Sequence, residues 1–315
     1  MRVVAALGGN ALLGRGEDPS SDIQLHHVVG AVRALAQVAE HHDLVVTHGN
    51  GPQVGILALE SAADRTLPRP YPLDALGAQT QGMLGYWLLQ ALENALPGRQ
   101  VVSLVSQTLV DQDDKAFAQP TKFVGPTYDE AEAKRLAAVA GWQIAQDGKS
   151  WRRVVPSPQP QALLEVATVS SLVAAHAVVV CVGGGGIPVC RGPDGLLHGV
   201  EAVIDKDLSS ALLARDVGEE ALLLLTDVDG VELDFGTDAA RTIRHVSPAE
   251  LRAHQFPVGS MGPKVDAACR FVESTGHRAM IGRLDDAREL LDGKKGTVVT
   301  PATKAMTAEP LSTQS

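Results

Sequence analysis

Two lysines stand where they could neutralise a phosphate. Lys206 lies between Asp205 and Asp207 directly after the apolar run VEAVI, and Lys264 lies in SMGPK. Ser260 at a cap position, with a proline in the first turn, predicts a helix start beside Lys264. Because fixed cations stabilise the oxygens of a phosphoryl group during transfer, we predict that both lysines serve phosphoryl-transfer chemistry. The alternatives are a solvated surface charge or, for Lys206, simple pairing with its aspartates at a helix end.

Glycine-rich turns follow three short apolar runs of the sequence. A backbone without Cβ atoms lets N–H groups approach a phosphate, although a tight strand-to-helix turn explains any single site equally well. Repetition after successive runs favours an anion-binding cradle at the carboxyl ends of neighbouring strands. Its candidate residues are Gly8, Gly9 and Asn10, then Gly49, Asn50 and Gly51, then Gly183, Gly184, Gly185 and Gly186.

A fourth apolar run, ALLLL, leads into the acidic segment TDVDGV. The carboxylates of Asp227 and Asp229 suit ribose hydroxyls or Mg²⁺, and Gly230 leaves room for an adenine edge. An Asp-Gly turn that binds nothing is the alternative. We predict a nucleotide site here.

Several familiar site patterns are missing from the sequence. There is neither GxxxxGKS/T nor a strand-bound GxGxxG, so no P-loop or dinucleotide-binding turn is predicted. Residues 234–236 spell DFG, but no HRDxxxxN or VAIK accompanies them. The 3 cysteines show no CxxC and the 10 histidines no HExxH, which predicts reduced thiols and no metal held by the protein alone.

The elements that would position these residues alternate along the chain. Strand-length apolar runs precede the turns, and helical spacing recurs over residues 22–41, 73–96, 162–175 and 261–276. This alternation is typical of βαβ units. It predicts an α/β fold, an open three-layer αβα sandwich with a mainly parallel sheet.

Two regions depart from that rhythm. Residues 111–160 contain a charged helix-like stretch and Trp142 and Trp151 around a hairpin pattern, which predicts a small inserted lobe. Beyond Thr300 the apolar pattern ends, and residues 303–315 are predicted to be a frayed tail.

Composition limits the partners of the chain. Its 315 residues are 45% hydrophobic and 20% charged, which indicates a folded protein with a sizeable core. Asp and Glu number 37 against 27 Lys and Arg, and the net charge of −10 predicts neither a nucleic-acid partner nor an anionic membrane surface. Because the sequence shows no long apolar span and no signal-peptide core, we predict a cytoplasmic protein.

The motifs together resemble those of the carbamate kinases in the amino acid kinase family. Several motifs are shared across the wider family, whereas PTKFVGP, WRRVVPSPQP and GGGGIP resemble carbamate kinases specifically. Phe123 and Asp227 depart from the pattern, since some relatives have a proline and a glycine there. In chain order the motifs are ALGGNA, THGNGPQVG, TQGMLGYWL, PTKFVGP, WRRVVPSPQP, CVGGGGIPV, GVEAVIDKD, LTDVDGV, GSMGPKV and GTVV.

The resemblance implies reversible phosphoryl transfer between ATP and carbamate, with Mg²⁺, by a homodimer active in arginine and carbamoyl phosphate catabolism. Lys206 and Lys264 would hold the transferred group, and Asp205 or Asp207 would orient the lysines. Lys122, which its own surroundings do not single out, would reach in from the lobe.

The resemblance also implies that the two halves of the chain bind different substrates. Residues 1–210 would bind the acid and form the dimer, and residues 211–302 would bind the nucleotide. Other kinases of the family, acting on acetylglutamate, glutamate or uridylate, and a nucleotide sensor without transfer are the alternatives. The implied nucleotide-binding residues are Thr226, Asp227, Val228, Asp229, Gly230, Val231 and Met261.

Overall fold

The computed structural model describes residues 1–14, 16–237, 239–257, 259–302 and 307–310, without the side chains of residues 10 and 308–310. The strands in these ranges are β1 (Arg2–Leu7), β2 (Asp43–His48), β3 (Val101–Ser103), β4 (Gln107–Val110), β5 (Lys122–Tyr128), β6 (Gln143–Asp147), β7 (Ser150–Val155), β8 (Pro160–Leu163), β9 (Val178–Val180), β10 (Ile187–Arg191), β11 (Leu197–Gly199), β12 (Ala221–Thr226), β13 (Glu232–Leu233), β14 (Arg241–Val246), β15 (Arg278–Arg283), β16 (Thr297–Val299) and β17 (Thr307–Pro310).

Helices alternate with these strands. They are α1 (Ser21–Ala39), α2 (Gly51–Ala63), α3 (Leu73–Ala95), α4 (Glu130–Ala140), α5 (Val166–Ala174), α6 (Lys206–Asp216), α7 (Pro248–Arg252), α8 (Met261–Thr275) and α9 (Ala287–Leu291). Short 3₁₀ turns occur at Gly9–Ala11, Lys115–Phe117, Gly183–Gly185 and Leu284–Asp286.

The main sheet contains 10 of the described strands in the order β13-β14-β16-β15-β12-β1-β2-β9-β3, with β17 beside β14. From β15 to β3 every neighbouring pair is parallel. At the other side β16 runs antiparallel to β15, and β13 and β17 run antiparallel to β14. β1 lies centrally, because the chain continues to β2 on one side of it and later to β12 on the other.

Helices cover both faces of this sheet. On one face α5, α6, α7 and α8 share a core with Val4 and Ala6 of β1, and on the other α1, α3 and α9 share a core with Val3 and Ala5. Residues 3–7 of β1 are therefore all buried, as expected of a parallel strand with two covered faces. The predicted αβα sandwich with a mainly parallel sheet is confirmed.

A small lobe is inserted between β4 and β8. These two strands pair in a separate sheet of order β11-β10-β4-β8, so the chain leaves and rejoins the body at neighbouring points. The lobe itself is an antiparallel sheet of order β5-β7-β6 with α4 packed on it. Val124 and Val155 join it to the body by packing with Val54 and Leu76.

Three of the four predicted helices are present as α1, α3 and α8. The fourth was placed too early, because Ala162 and Leu163 pair with β4 and α5 begins only at Val166. The end of the strand and the start of the helix are both apolar, so residue spacing does not mark their boundary. Ser260 does precede α8, but its hydroxyl caps no N–H group, since its backbone is not in the extended cap conformation.

The predicted frayed tail is wrong for Thr307–Pro310, which pair with β14. Ladder hydrogen bonds use backbone groups, so a strand at a sheet edge needs no apolar pattern. The remaining residues of that tail, 303–306 and 311–315, lie outside the described residues. None of the helices that the structure describes is long and apolar enough to cross a membrane.

Candidate active site

The carboxyl ends of β1, β2 and β12 meet at one edge of the main sheet. The Gly8 N–H donates to Leu225 O at 3.1 Å and the Gly49 N–H to Leu7 O at 3.0 Å. These two amides are used within the sheet, so the expectation that they are free for a phosphate is wrong. The edge lies where the chain changes sides of the sheet, the usual ligand site of open α/β folds.

Three lysines converge on two aspartates at this edge. Asp207 accepts from Lys206 Nζ at 2.5 Å with one carboxylate oxygen and from Lys264 Nζ at 3.2 Å with the other. Asp205 accepts from Lys122 Nζ at 2.5 Å. The starts of α6, α8 and β5 supply the three lysines, so three distant segments form one cluster.

Asp205 also caps α6. Its Oδ1 accepts from the N–H groups of Asp207 at 2.9 Å and Leu208 at 3.3 Å, which satisfies donors that a helix start leaves free. The helix end assumed in the alternative for Lys206 is therefore present. Oδ2 holds Lys122, so one carboxylate both starts the helix and contacts the lobe.

The cluster is largely withdrawn from solvent, with side-chain exposures of 9% for Lys206, 5% for Asp207 and 13% for Lys264. Burial lowers the pKa of Lys206 by more than the attraction of Asp207 raises it. For Lys264 burial is again the largest influence and opposes the charge, but Asp207, with Asp205 and Asp227, outweighs it and the pKa is raised. Burial also opposes the charge of Asp207, yet the lysine charges hold its pKa well below its usual range. Three lysines against two aspartates leave one excess positive charge, which favours an anion.

The four-glycine loop is held by its carbonyl groups. Gln81 Nε2 donates to Gly183 O at 2.9 Å, and the hydroxyls of Thr108 and Ser209 each donate to Gly185 O at 2.8 Å. All three side chains that hold the loop belong to buried residues. The loop is therefore a fixed structure and not a flexible linker.

Its amide groups are less engaged than its carbonyls. Within the described part of the chain the N–H groups of Gly183 and Gly184 donate no hydrogen bond, so they are available to an anion. Residues 184–186 have φ values of +65°, +88° and +88°, which glycine adopts without strain. Val182 also has a positive φ, of +53°, a rare conformation for a β-branched residue, and its N–H donates to Ser106 Oγ at 2.7 Å.

The three glycine turns touch one another because they lack Cβ atoms. A Cβ at Gly49 would lie 2.9 Å from Gly9 N, and a Cβ at Gly184 would overlap the carboxamide of Asn50. That carboxamide is fixed by donation to Thr80 Oγ1 at 2.8 Å. The predicted cradle residues are therefore neighbours in space.

Gly51 begins α2, whose first N–H groups face no intrahelical acceptor and carry partial positive charge. This helix start adds to the anion-binding character of the edge. Asn10 lies within the Gly9–Ala11 turn, and its side chain is outside the described residues.

His48 was not singled out from the sequence, yet it ends β2 within the glycine turns. Its Nδ1 lies 3.0 Å from Gly49 O, and a Cβ at Gly183 would lie 2.5 Å from Nε2. Burial, with a contribution from the charge of Lys206, lowers the pKa of His48 to about 4. The imidazole is therefore neutral near pH 7, and as a donor to Gly49 O it carries its proton on Nδ1.

The predicted nucleotide segment follows β12 at the same edge. Thr226 Oγ1 donates to Asp227 Oδ1 at 3.1 Å, and Arg283 Nη1 donates to Asp227 O at 3.0 Å. Arg283 also lies 3.8 Å from the Asp229 carboxylate. The charge of Asp227 helps to raise the pKa of Lys264, which indicates that the segment and the lysine cluster are electrostatically coupled.

The end of this segment is structural. Val231 is buried and its N–H donates to Thr297 Oγ1 at 2.8 Å, and a Cβ at Gly230 would lie 2.7 Å from the same oxygen. Val228 is half-buried, and Met261 packs against the core from the first residue of α8. Residues 226–229 are consequently the more accessible part of the candidate nucleotide site.

The described residues do not form a metal site of their own. Among the described residues no set of three or more His, Cys, Asp or Glu is placed to hold a metal ion. Both aspartates of the lysine cluster are already paired with ammonium groups. The three cysteines are buried free thiols.

Known proteins match this chain over most of its length. The amino acid kinase family matches residues 1–283. The carbamate kinase of Rhizobium meliloti strain 1021 is 49% identical over 303 residues, covering 95% of this chain and 93% of the relative. The carbamate kinase from Giardia lamblia bound to citric acid superposes with a TM-score of 0.89 at 38% identity, over 95% of this chain and 98% of that one. The same enzyme bound to AMP-PNP gives a TM-score of 0.86 at 38% identity, with the same coverage of 95% and 98%.

The chain therefore belongs to the amino acid kinase family. Within that family it groups with the carbamate kinases, because relatives of that activity match almost its whole length. The resemblance expected from the sequence motifs is confirmed.

Proposed function

We propose that the protein transfers a phosphoryl group reversibly between ATP and carbamate, so that carbamoyl phosphate and ADP are the other pair of reactants. The observation that carries the proposal is the cluster in which Lys122, Lys206 and Lys264 meet Asp205 and Asp207. Phosphoryl transfer needs positioned positive charge and little covalent help. A buried cluster with one excess positive charge at a sheet edge supplies that need.

The lysines divide into a fixed pair and a mobile arm in this proposal. Lys206 and Lys264 hold the oxygens of the transferred group, and Asp207, bonded to both, orients them. Lys122 comes from the lobe and is more exposed, at 31%, so it completes the charge on the acceptor side once substrate displaces Asp205. The low dielectric of the buried pair strengthens their action on developing charge.

The glycine turns serve the same anion through backbone groups. The N–H groups of Gly183 and Gly184, which have no acceptor among the described residues, and the start of α2 near Asn50 and Gly51 are the donors that we assign to carbamoyl phosphate. Gly8, Gly9 and Gly49 contribute by allowing close approach, since a Cβ at Gly49 would collide with Gly9. Gly185 and Gly186 keep the loop in its left-handed conformation.

We assign the nucleotide to residues 226–231 and Met261. A carbamate kinase at 38% identity was solved with AMP-PNP, an ATP analogue, which supports a nucleotide site in this fold. Mg²⁺ would enter with the nucleotide, because this ion is usually held by substrate phosphates with one or two carboxylates. Asp227 and Asp229 are the carboxylates nearest to that role, and the ion would neutralise phosphate charge.

A panel of acceptors tests the assignment of carbamate. Purified protein would receive ATP and Mg²⁺ with bicarbonate plus ammonia, acetylglutamate, glutamate or uridylate, and ADP release would be measured. We expect release only with bicarbonate plus ammonia, which form carbamate in solution. Release with another acceptor alone would favour a different kinase of the family, and nucleotide binding without release would favour a sensor.

The remaining assignments are proposals of the same kind. We assign residues 1–210 to the acid and the dimer, and residues 211–302 to the nucleotide. Exposed Tyr86 and Val105, near the outer strand β3, support a homodimer through that edge, and light scattering on the purified protein would test it. Cytoplasmic location and a role in arginine and carbamoyl phosphate catabolism remain predictions.

A further inference from the structure

Two of the sequence motifs, THGNGPQVG and PTKFVGP, contain glycines that the lysine cluster and the cradle leave unexplained. These are Gly55 in the second turn of α2 and Gly125 in the middle of β5. The structure brings them into direct backbone contact. A Cβ at Gly55 would overlap the Cα and N atoms of Gly125, and a Cβ at Gly125 would lie 3.4 Å from Gly55 Cα.

The backbone on the lobe side of this contact is fixed. Gly125 has a φ of +72°, and the pairing of β5 with β7 shifts register between Val124 and Tyr128. Arg152 of β7 donates to Gly125 O from Nε at 3.1 Å and from Nη2 at 2.7 Å. Arg152 in turn bonds Asp147 at 3.2 Å. A side chain pressing on Gly125 therefore moves the lobe as a unit and not the turn alone.

The contact links two elements that both reach the active site. α2 begins at Gly51, in the glycine cradle, and Gly55 lies one helical turn further along. β5 begins at Lys122, three residues before Gly125, and Lys122 bonds Asp205. The glycine contact thus ties the helix that starts in the cradle to the strand that carries the lobe lysine.

We propose that the Gly55–Gly125 contact sets how deeply the lobe seats on α2 and thereby positions Lys122 at the transferred group. This inference rests on the proposed function. Any side chain at position 55 holds the lobe back by on the order of 1 Å, and a misplacement of that size costs up to about 10²-fold in rate. Both glycines are positioning residues that act through Lys122.

A purely structural role predicts a different pattern. If the glycines only allow the lobe to pack, Gly55→Ala lowers stability and leaves the rate of the folded protein intact. If they position Lys122, the rate falls only while Lys122 is present. The two cases separate in a double-mutant cycle.

The experiment compares the parent protein, Gly55→Ala, Lys122→Ala and the double variant, with ATP formed from carbamoyl phosphate and MgADP as the readout. We expect Gly55→Ala to lower kcat about 10- to 100-fold, with little change in KM for MgADP. The double variant should lose no more than about threefold beyond Lys122→Ala. Gly30→Ala is the matched control, because nothing lies within 4 Å of its Cβ position, and it should keep the parent kcat.

A second variant keeps the test decisive if Gly55→Ala does not fold. Gly125→Asn suits a positive φ and places its Cβ in van der Waals contact with Gly55, 3.4 Å from the Cα atom. The added carboxamide enlarges this contact, so a smaller kcat loss that vanishes beside Lys122→Ala is expected. Rates within twofold of the parent for the folded glycine variants, or losses that multiply with Lys122→Ala, would overturn the inference. An inactive parent protein would instead contradict the proposed function.

Discussion

Lys206 and Lys264 share the two oxygens of one carboxylate, and this sharing explains how two ammonium groups coexist in a buried place. Their mutual repulsion and the loss of hydration both oppose charge, as the lowered pKa of Lys206 indicates. Asp207 opposes both effects and leaves Lys264 with a raised pKa. A bound phosphoryl group would add negative charge beside both ammonium groups and would favour their charged forms further.

Replacing either lysine tests its role in transfer. We expect Lys206→Ala and Lys264→Ala each to lose on the order of 10² or more in kcat, because each removes a cation from the developing charge. Steady-state ATP formation measures the loss. Lys134→Ala is the control, since that lysine is 64% exposed on α4, and its kcat should not change. Near-parent rates for the two site variants would identify them as ordinary ion pairs.

Asp207→Asn tests, through the pH dependence of kcat, whether this carboxylate keeps the two lysines charged. Without this carboxylate the pKa of Lys264 falls, because its main attraction is lost, and Lys206 likewise loses its main attraction. Both lysines then lose their protons at lower pH. The alkaline limb of the kcat profile should move to lower pH than in the parent, and an unmoved limb would contradict the role given to Asp207.

At the scale of elements, the four-glycine loop depends on residues brought from far along the chain. Gln81 of α3 bonds both Ser106 and Gly183, the latter 102 residues away in sequence. Gln81 was not predicted as a support, because its burial is a consequence of packing. A polar residue inside an otherwise apolar helix face was the available signal, since buried polar groups need partners. Ser209 of α6 and Thr108 of β4 are also buried polar residues, and they too have partners in the loop.

Gln81→Ala should weaken the loop. It leaves the Ser106 N–H without its acceptor and removes one of two donors from Gly183 O and from Ser106 O, which keep the N–H groups of Gly186 and Ile187. We expect a loss of about 1–3 kcal/mol in the free energy of unfolding. A lower kcat should accompany it, because the loop carries the N–H groups that we assign to the anion. Urea unfolding and the ATP assay give the two quantities. Gln90→Ala, on an exposed part of the same helix, should change neither.

Helices were predicted well where residues with helical spacing extended over many positions. α1, α3 and α8 follow from helical spacing over many residues, and the glycine turns follow from short runs that end abruptly. The start of α5, the cap at Ser260 and β17 were not predictable. Each depends on local backbone geometry or on pairing with a distant strand, which residue types do not encode.

At the scale of the whole molecule, the alternation of strand-like and helix-like segments predicted the αβα sandwich. Which distant residues come together in the lysine cluster could be learned only from the structure. Lys122 and Asp205 are 83 residues apart, and the lobe must fold back on α2 before they meet. The residues around Lys122 gave no reason to choose it, and only the family resemblance did. The expectation that the N–H groups of Gly8 and Gly49 are free for a phosphate was wrong for a related reason. Both groups donate to carbonyls of neighbouring strands.

The opposite end of the sheet carries a buried acid that affects the stability of the entire fold. Glu219 is 1% exposed, and its carboxylate oxygens find no hydrogen-bond partner within the described residues. Burial, with Asp43 and Glu220 nearby and partly offset by Arg2 and the amino terminus, raises its pKa to about 7. The folded protein therefore holds a proton there that the unfolded chain releases near its ordinary pKa.

This acid predicts a pH-dependent loss of stability. Because the folded-state pKa is raised, the contribution is fully present below the unfolded pKa and is lost as pH rises through about 7. Glu219→Gln removes that term. Relative to the parent, its free energy of unfolding should rise by about 2–3 kcal/mol between about pH 5 and pH 8.5, measured by urea unfolding. A constant difference across that range would show that Glu219 titrates normally.

We infer that this lysine cluster transfers a phosphoryl group between carbamate and a nucleotide. The decisive measurement is ATP formation by the purified protein from carbamoyl phosphate and MgADP. We expect ATP in amounts that follow the carbamoyl phosphate consumed, and almost none with Lys206→Ala or Lys264→Ala. No ATP from the folded parent protein, or equal ATP from the lysine variants, would contradict it.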